Sequence, residues 1–213
     1  MMRWLDAFLV LVLLLNFIAL GSSRLRAVIY AIAYQGMLLG FLPLFVHKDV
    51  GIRVALLVVA IVAVKGMIIP RMLIYAMREV VVRREVEPFV GFTLSLLLGA
   101  VGTGMALLFA RTLPLDPEHT NSLIVPASVA TFLTGFLVLT TRKKAISQAV
   151  GYLILENGIF LFGLLLVEAM PFLVEVGVLL DLSVGVFVMG IIIHQISREF
   201  SSQSTEHLSA LKE

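Results

Sequence analysis

Lys65, Glu156 and Asp181 each interrupt a long run of apolar side chains. A charge at the centre of a bilayer costs on the order of 2.5–3.5 kcal/mol even on the lenient insertion scale. Such a group therefore needs a partner, a water-filled cavity or a task. Two chemistries suit this set. Buried carboxylates and amines can take up and release protons or ions, as a relay must. The same three groups could instead form an ion pair that ties helices together.

Other chemistry finds little material. Cysteine is absent, so the chain offers no disulfide, thiolate metal site or iron–sulfur ligation. His47, His119, His194 and His207 show no metal-ligand spacing, and no phosphate loop, dinucleotide fingerprint or nucleophile elbow occurs. Asn16 and Gln35 read as hydrogen bonds between helices. Glu168 and Glu175 flank Pro171 in an outer loop where water solvates them, and His194 falls at a helix end.

The elements that position these charges must be membrane helices. Of the chain's residues 60% are apolar and only 14% charged, against roughly a quarter charged in soluble proteins. Mean hydropathy is +1.07. So few polar residues cannot coat a globule of 213 residues, and lipid must serve as the outer solvent. The formal charge of +2 suggests no nucleic-acid partner, because the basic residues lie in short loops between apolar runs.

Crossing about 30 Å of hydrocarbon takes about 20 helical residues. The apolar runs predict seven spans, at 3–20, 27–46, 51–69, 89–110, 123–140, 146–167 and 172–196. Arg3 and Gly21–Ser23 give the first run the look of a signal peptide, but Asp6 spoils its basic start, so a retained helix is expected. With seven spans, Arg3, Lys48, Arg53 and Arg111 fall on one side. Arg24, Arg26, Arg71, Arg78, Arg83, Arg84, Arg142, Lys143, Lys144, Arg198 and Lys212 fall on the other. That bias predicts an outside N-terminus and a cytoplasmic C-terminus.

Counting the helical rise places Glu156 about 15 Å from the cytoplasmic surface and Asp181 about 13 Å from the outer one, with Lys65 at a level similar to Glu156. Beyond Pro70 an amphipathic piece over 71–87 reads as a solvated helix end. The small residues Gly99, Ala100, Gly102, Gly104 and Ala106 predict close helix packing. A weak repeat relates IYAIAYQGMLL at 29–39 to GYLILENGIFL at 151–161, with Tyr34 in the place of Glu156.

The stretch RKKAISQAVGYLILENGIFLFG at 142–163 resembles the second helix of NuoK-type subunits of respiratory complex I. DLSVG at 181–185 resembles that family's third helix. The resemblance implies that Glu156 and Asp181 are proton-path carboxylates, the second an aspartate where glutamate is usual. Over the whole chain, Lys65 with Pro70, Glu156–Asn157–Gly158, Val174–Glu175–Val176–Gly177, Asp181 and the LSALK tail at 208–212 are similar to the hydrogenase-4 membrane component E family.

That likeness implies a subunit of a group 4 membrane-bound [NiFe] hydrogenase or formate hydrogenlyase-type complex in a prokaryotic cytoplasmic membrane. Its partners would be antiporter-like (NuoL/M/N-type) and NuoH-like membrane subunits and peripheral hydrogenase subunits. Those partners would hold the [NiFe] and iron–sulfur centres, leaving this chain without a cofactor. The implied organisation is an all-α integral membrane protein with a four-helix region at 1–121, a NuoK-like three-helix region at 122–200 and a polar cytoplasmic tail at 201–213. A subunit of a multi-subunit cation/proton antiporter, or a structural assembly subunit without ion conduction, would share these features.

Overall fold

The computed structural model describes residues 2–46, 51–79, 88–113 and 123–164, with Gly177 and Gly190. The elements are α1 (Met2–Gly21), α2 (Leu25–Phe41), the single turn α3 (Pro43–Val46), α4 (Ile52–Ala63), a π-helical turn (Val64–Ile68), α5 (Ile69–Glu79), α6 (Phe92–Thr112), α7 (Ile124–Thr141) and α8 (Ala145–Gly163). Among the described residues five helices are long and apolar enough to cross a membrane: Leu25–Phe45, Val54–Arg78, Phe92–Thr112, Ile124–Thr141 and Ala145–Gly163. The apolar part of α1, Leu5–Gly21, is shorter. Apart from Gly177 and Gly190, the expected seventh span at 172–196 lies outside the described residues, as does the polar tail.

α4, the π turn and α5 form one continuous span. The π turn accommodates Pro70. A proline has no N–H to donate and crowds the preceding turn, and just before it the Ile69 N–H reaches back five residues to the Val64 carbonyl. The span does not end at Ile69, and α5 is not the solvated helix end expected from its charges. Leu73, Ala76 and Met77 are buried against Ile29 and Ile154, while Arg71, Tyr75 and Arg78 face outward. The helix is amphipathic, and its apolar stripe belongs to the core.

α7 and α8 form the closest helix pair. A Cβ on Gly158 would stand 2.5 Å from the Phe132 backbone nitrogen, and one on Gly151 would stand 2.5 Å from that of Leu139. One on Gly135 would overlap the Leu155 backbone. These pairings run in opposite directions along the two chains, so the helices are antiparallel. Only glycine permits backbones this close. The small residues of α6 behave differently. Gly99 faces Leu20, Ala106 is buried and Gly102 touches Leu133, but Gly104 meets nothing within 4 Å and Ala100 is exposed. α6 packs through a narrow stripe and presents Leu94, Leu97, Val101, Met105 and Leu108 outward.

Arg142 holds one end of the bundle together. Its guanidinium donates to the Leu20 carbonyl at 2.8 Å and the Val90 carbonyl at 3.2 Å, and stands 4.5 Å from the Phe92 ring centre. It thereby joins the end of α1, the approach to α6 and the α7–α8 turn. Expected only as an orientation signal, Arg142 is in fact buried. At the opposite end Asp6 Oδ1 accepts the Leu123 N–H at the start of α7.

Candidate functional site

Two apolar clusters fill the bundle, one holding Leu20, Ile29, Leu73 and Ile154, the other Leu9, Leu39, Ile61 and Leu161. A polar residue separates them on every helix that contributes to both. Asn16 of α1, Gln35 of α2, Lys65 of the π turn, Thr131 of α7, and Glu156 and Asn157 of α8 form one buried layer.

Lys65 and Glu156 meet in that layer. Lys65 Nζ lies 2.7 Å from Glu156 Oε1, with side chains 6% and 2% exposed. Lys65 Nζ also donates to Asn157 Oδ1 at 3.2 Å and stands 5.2 Å from the Phe160 ring centre. Glycines allow the approach: a Cβ on Gly36 would stand 2.8 Å from Lys65 Cβ, and one on Gly66 would run into Met37. Within the water-poor core the attraction is far less screened than at a surface, and losing either partner leaves the other charge buried.

From Asn157 the hydrogen bonds continue across the bundle. Asn157 Nδ2 donates to Gln35 Oε1 at 3.2 Å, Gln35 Nε2 to Asn16 Oδ1 at 2.9 Å, and Asn16 Nδ2 to Thr131 Oγ1 at 2.9 Å. Each amide accepts with its oxygen and donates with its nitrogen, as burial of such groups demands. These amides hold the site, but they do not titrate. The two charged groups of the layer are Lys65 and Glu156. A void of about 10 Å³ beside Lys65, Asn157 and Pro70 gives about the room one water needs.

Of the three expected site residues, the structure brings Lys65 and Glu156 together, and Asp181 lies outside the described residues. The layer also takes in Asn157 and Thr131, whose main signal in the sequence is polarity at mid-span. Among the described residues no group of three or more His, Cys, Asp or Glu could hold a metal ion.

The uncharacterized protein Rv0085 of Mycobacterium tuberculosis is 35% identical over 194 residues, covering 89% of this chain and 87% of that protein. The chain belongs to the same family as Rv0085. More distantly, it is 26% identical over 148 residues to hydrogenase-4 component E of Escherichia coli strain K12, covering 70% of this chain and 68% of that one. Hydrogenase-4 component E of Shigella flexneri gives the same identity and coverage. No family model and no solved structure matches the chain.

Proposed function

We propose that this chain is a multi-pass inner-membrane subunit of a hydrogenase-type complex, and that Lys65 and Glu156, with Asp181, belong to a path moving protons or sodium ions. The observation that carries this reading is the Lys65–Glu156 pair, buried in the bundle at 2.7 Å, in a chain similar to a hydrogenase-4 component. A pair this close can pass a proton from Nζ to Oε1 and back. The α7–α8 turn, with Arg142, faces the cytoplasm, which the Lys and Arg bias supports.

Electron transfer in peripheral partners, which hold the [NiFe] and iron–sulfur centres, drives the movement. Antiporter-like and NuoH-like subunits flank this one and extend the line of buried charge. The broad apolar face of α6 suits lipid or such a neighbour. The test is purification of the tagged full chain from its native membrane in mild detergent. Copurifying peripheral hydrogenase subunits support the reading. An assembly containing only antiporter subunits, or a stable active monomer, contradicts it.

A second reading has its own support. The pair is braced by a chain of satisfied amides, as expected of a structural bond between helices. In that reading Lys65 and Glu156 lock α8 to the π turn and move nothing.

A further inference from the structure

The four hydrogen bonds beyond the ion pair all point the same way, from Lys65 through Asn157, Gln35 and Asn16 to Thr131. An ammonium can only donate, so it must meet the oxygen of Asn157. That fixes Asn157 Nδ2 on Gln35, and each later amide in turn. Turning any one amide over would set donor against donor and acceptor against acceptor. The charge on Lys65 therefore dictates the sense of the whole chain.

The far end is a hydroxyl, and a hydroxyl both donates and accepts. We infer that the Lys65–Asn157–Gln35–Asn16–Thr131 chain is a two-sense relay of orientation, set by whether Lys65 holds its proton. When that proton passes to Glu156, an N–H bond breaks and an O–H bond forms. With the carboxyl turned so that its C=O oxygen accepts from a remaining amine N–H, the one lone pair of Nζ is free to accept from Asn157 Nδ2. The three amides then turn over together, each by half a turn about its last torsion, and Thr131 donates where it had accepted. Both arrangements satisfy every buried amide. A one-sided acceptor in place of Thr131 would allow only the first.

Among the described residues, Lys65 is the charged group that hydrogen-bonds to the chain of amides. α8 contributes Glu156, Asn157 and Phe160, and α2 contributes Gly36 and, through Asn157, Gln35. Tyr30 and Tyr34 of α2 and Arg71 and Arg78 of α5 are exposed. Asn157, Gln35 and Asn16 are thus positioning residues. The relay transmits the charge state of the pair to the α1–α7 contact, whether or not the pair conducts ions.

Nuclear magnetic resonance of the full chain in lipid nanodiscs, with nitrogen-15 in the Asn and Gln side chains, tests this. In the native protein the Asn16 amide protons should contact Thr131 and those of Asn157 should contact Gln35. Asn157 amide protons resting on Lys65 instead would overturn the assignment. The double variant Lys65→Met with Glu156→Gln removes both charges together. It should split the Asn157, Gln35 and Asn16 amide signals alike into two sets of comparable intensity. Thr131→Val should perturb the same three signals from the other end. A change at Asn157 alone in the first variant, or at Asn16 alone in the second, would show that the links are independent and end the proposal.

Discussion

Gln35 and Asn157 hydrogen-bond to each other at 3.2 Å, and they hold matching places in the two similar segments at 29–39 and 151–161. The following glycines also match. Gly36 admits Lys65 to α2, and Gly158 admits the Phe132 backbone to α8. The preceding positions have diverged: Glu156 is buried against Lys65, whereas Tyr34 is exposed. The two segments thus meet through their shared polar position, and only one of them brings a charge to the centre.

The ion pair should behave as a unit in stability. Lys65→Met alone or Glu156→Leu alone strands one charge and should cost about 3–5 kcal/mol, whereas replacing both together should cost much less. Thermal unfolding of the four proteins in the same lipid measures this. Additive losses would mean that the pair is not coupled as its 2.7 Å separation implies.

The glycines divide by what faces them. Gly158→Ala drives a methyl group against the Phe132 backbone, which cannot yield as a flexible side chain can, so a loss of about 1–3 kcal/mol is expected. Gly104→Ala meets open space and should stabilise α6 by about 0.5–1 kcal/mol through helix propensity. Unfolding midpoints that move in the same direction for both variants would contradict the packing.

Arg142 should matter more than its neighbours in the RKK turn. Arg142→Gln disrupts the charged hydrogen bonds to the Leu20 and Val90 carbonyls, each worth about 1.5–3 kcal/mol. Lys144, which is part-exposed, should tolerate Gln within about 0.5 kcal/mol. Equal midpoints for the two variants would show that the clamp does not stabilise the bundle.

The membrane class and the two described site charges were legible because an apolar run makes any charge conspicuous. Their contact was not. Whether Lys65 faces α8 depends on the π turn, whose one extra residue rotates the rest of the span by about 100° relative to a regular helix. Nothing in a 3.6-residue period announces that turn, although Pro70 marks its neighbourhood. Asn16 and Gln35 read correctly as bonds between helices because amides in hydrocarbon need partners. The close glycine contacts are expected on α6, where small residues cluster, yet the tightest approach lies between α7 and α8. Composition shows where backbones can approach, while the partner decides where they do.

Proton exchange at Glu156, as against mere binding of Lys65, is tested most directly by ion uptake into vesicles. The vesicles come from cells expressing Glu156→Gln or Glu156→Asp, and each assay is paired with a blot for intact complex. Assembled complex without uptake is expected for Glu156→Gln, at a lower level because Lys65 loses its partner, and absent complex would support the structural bond instead. Assembled complex with partial uptake is expected for Glu156→Asp, whose proton-binding group survives one methylene short. Full uptake by assembled Glu156→Gln complex would contradict proton exchange at this residue.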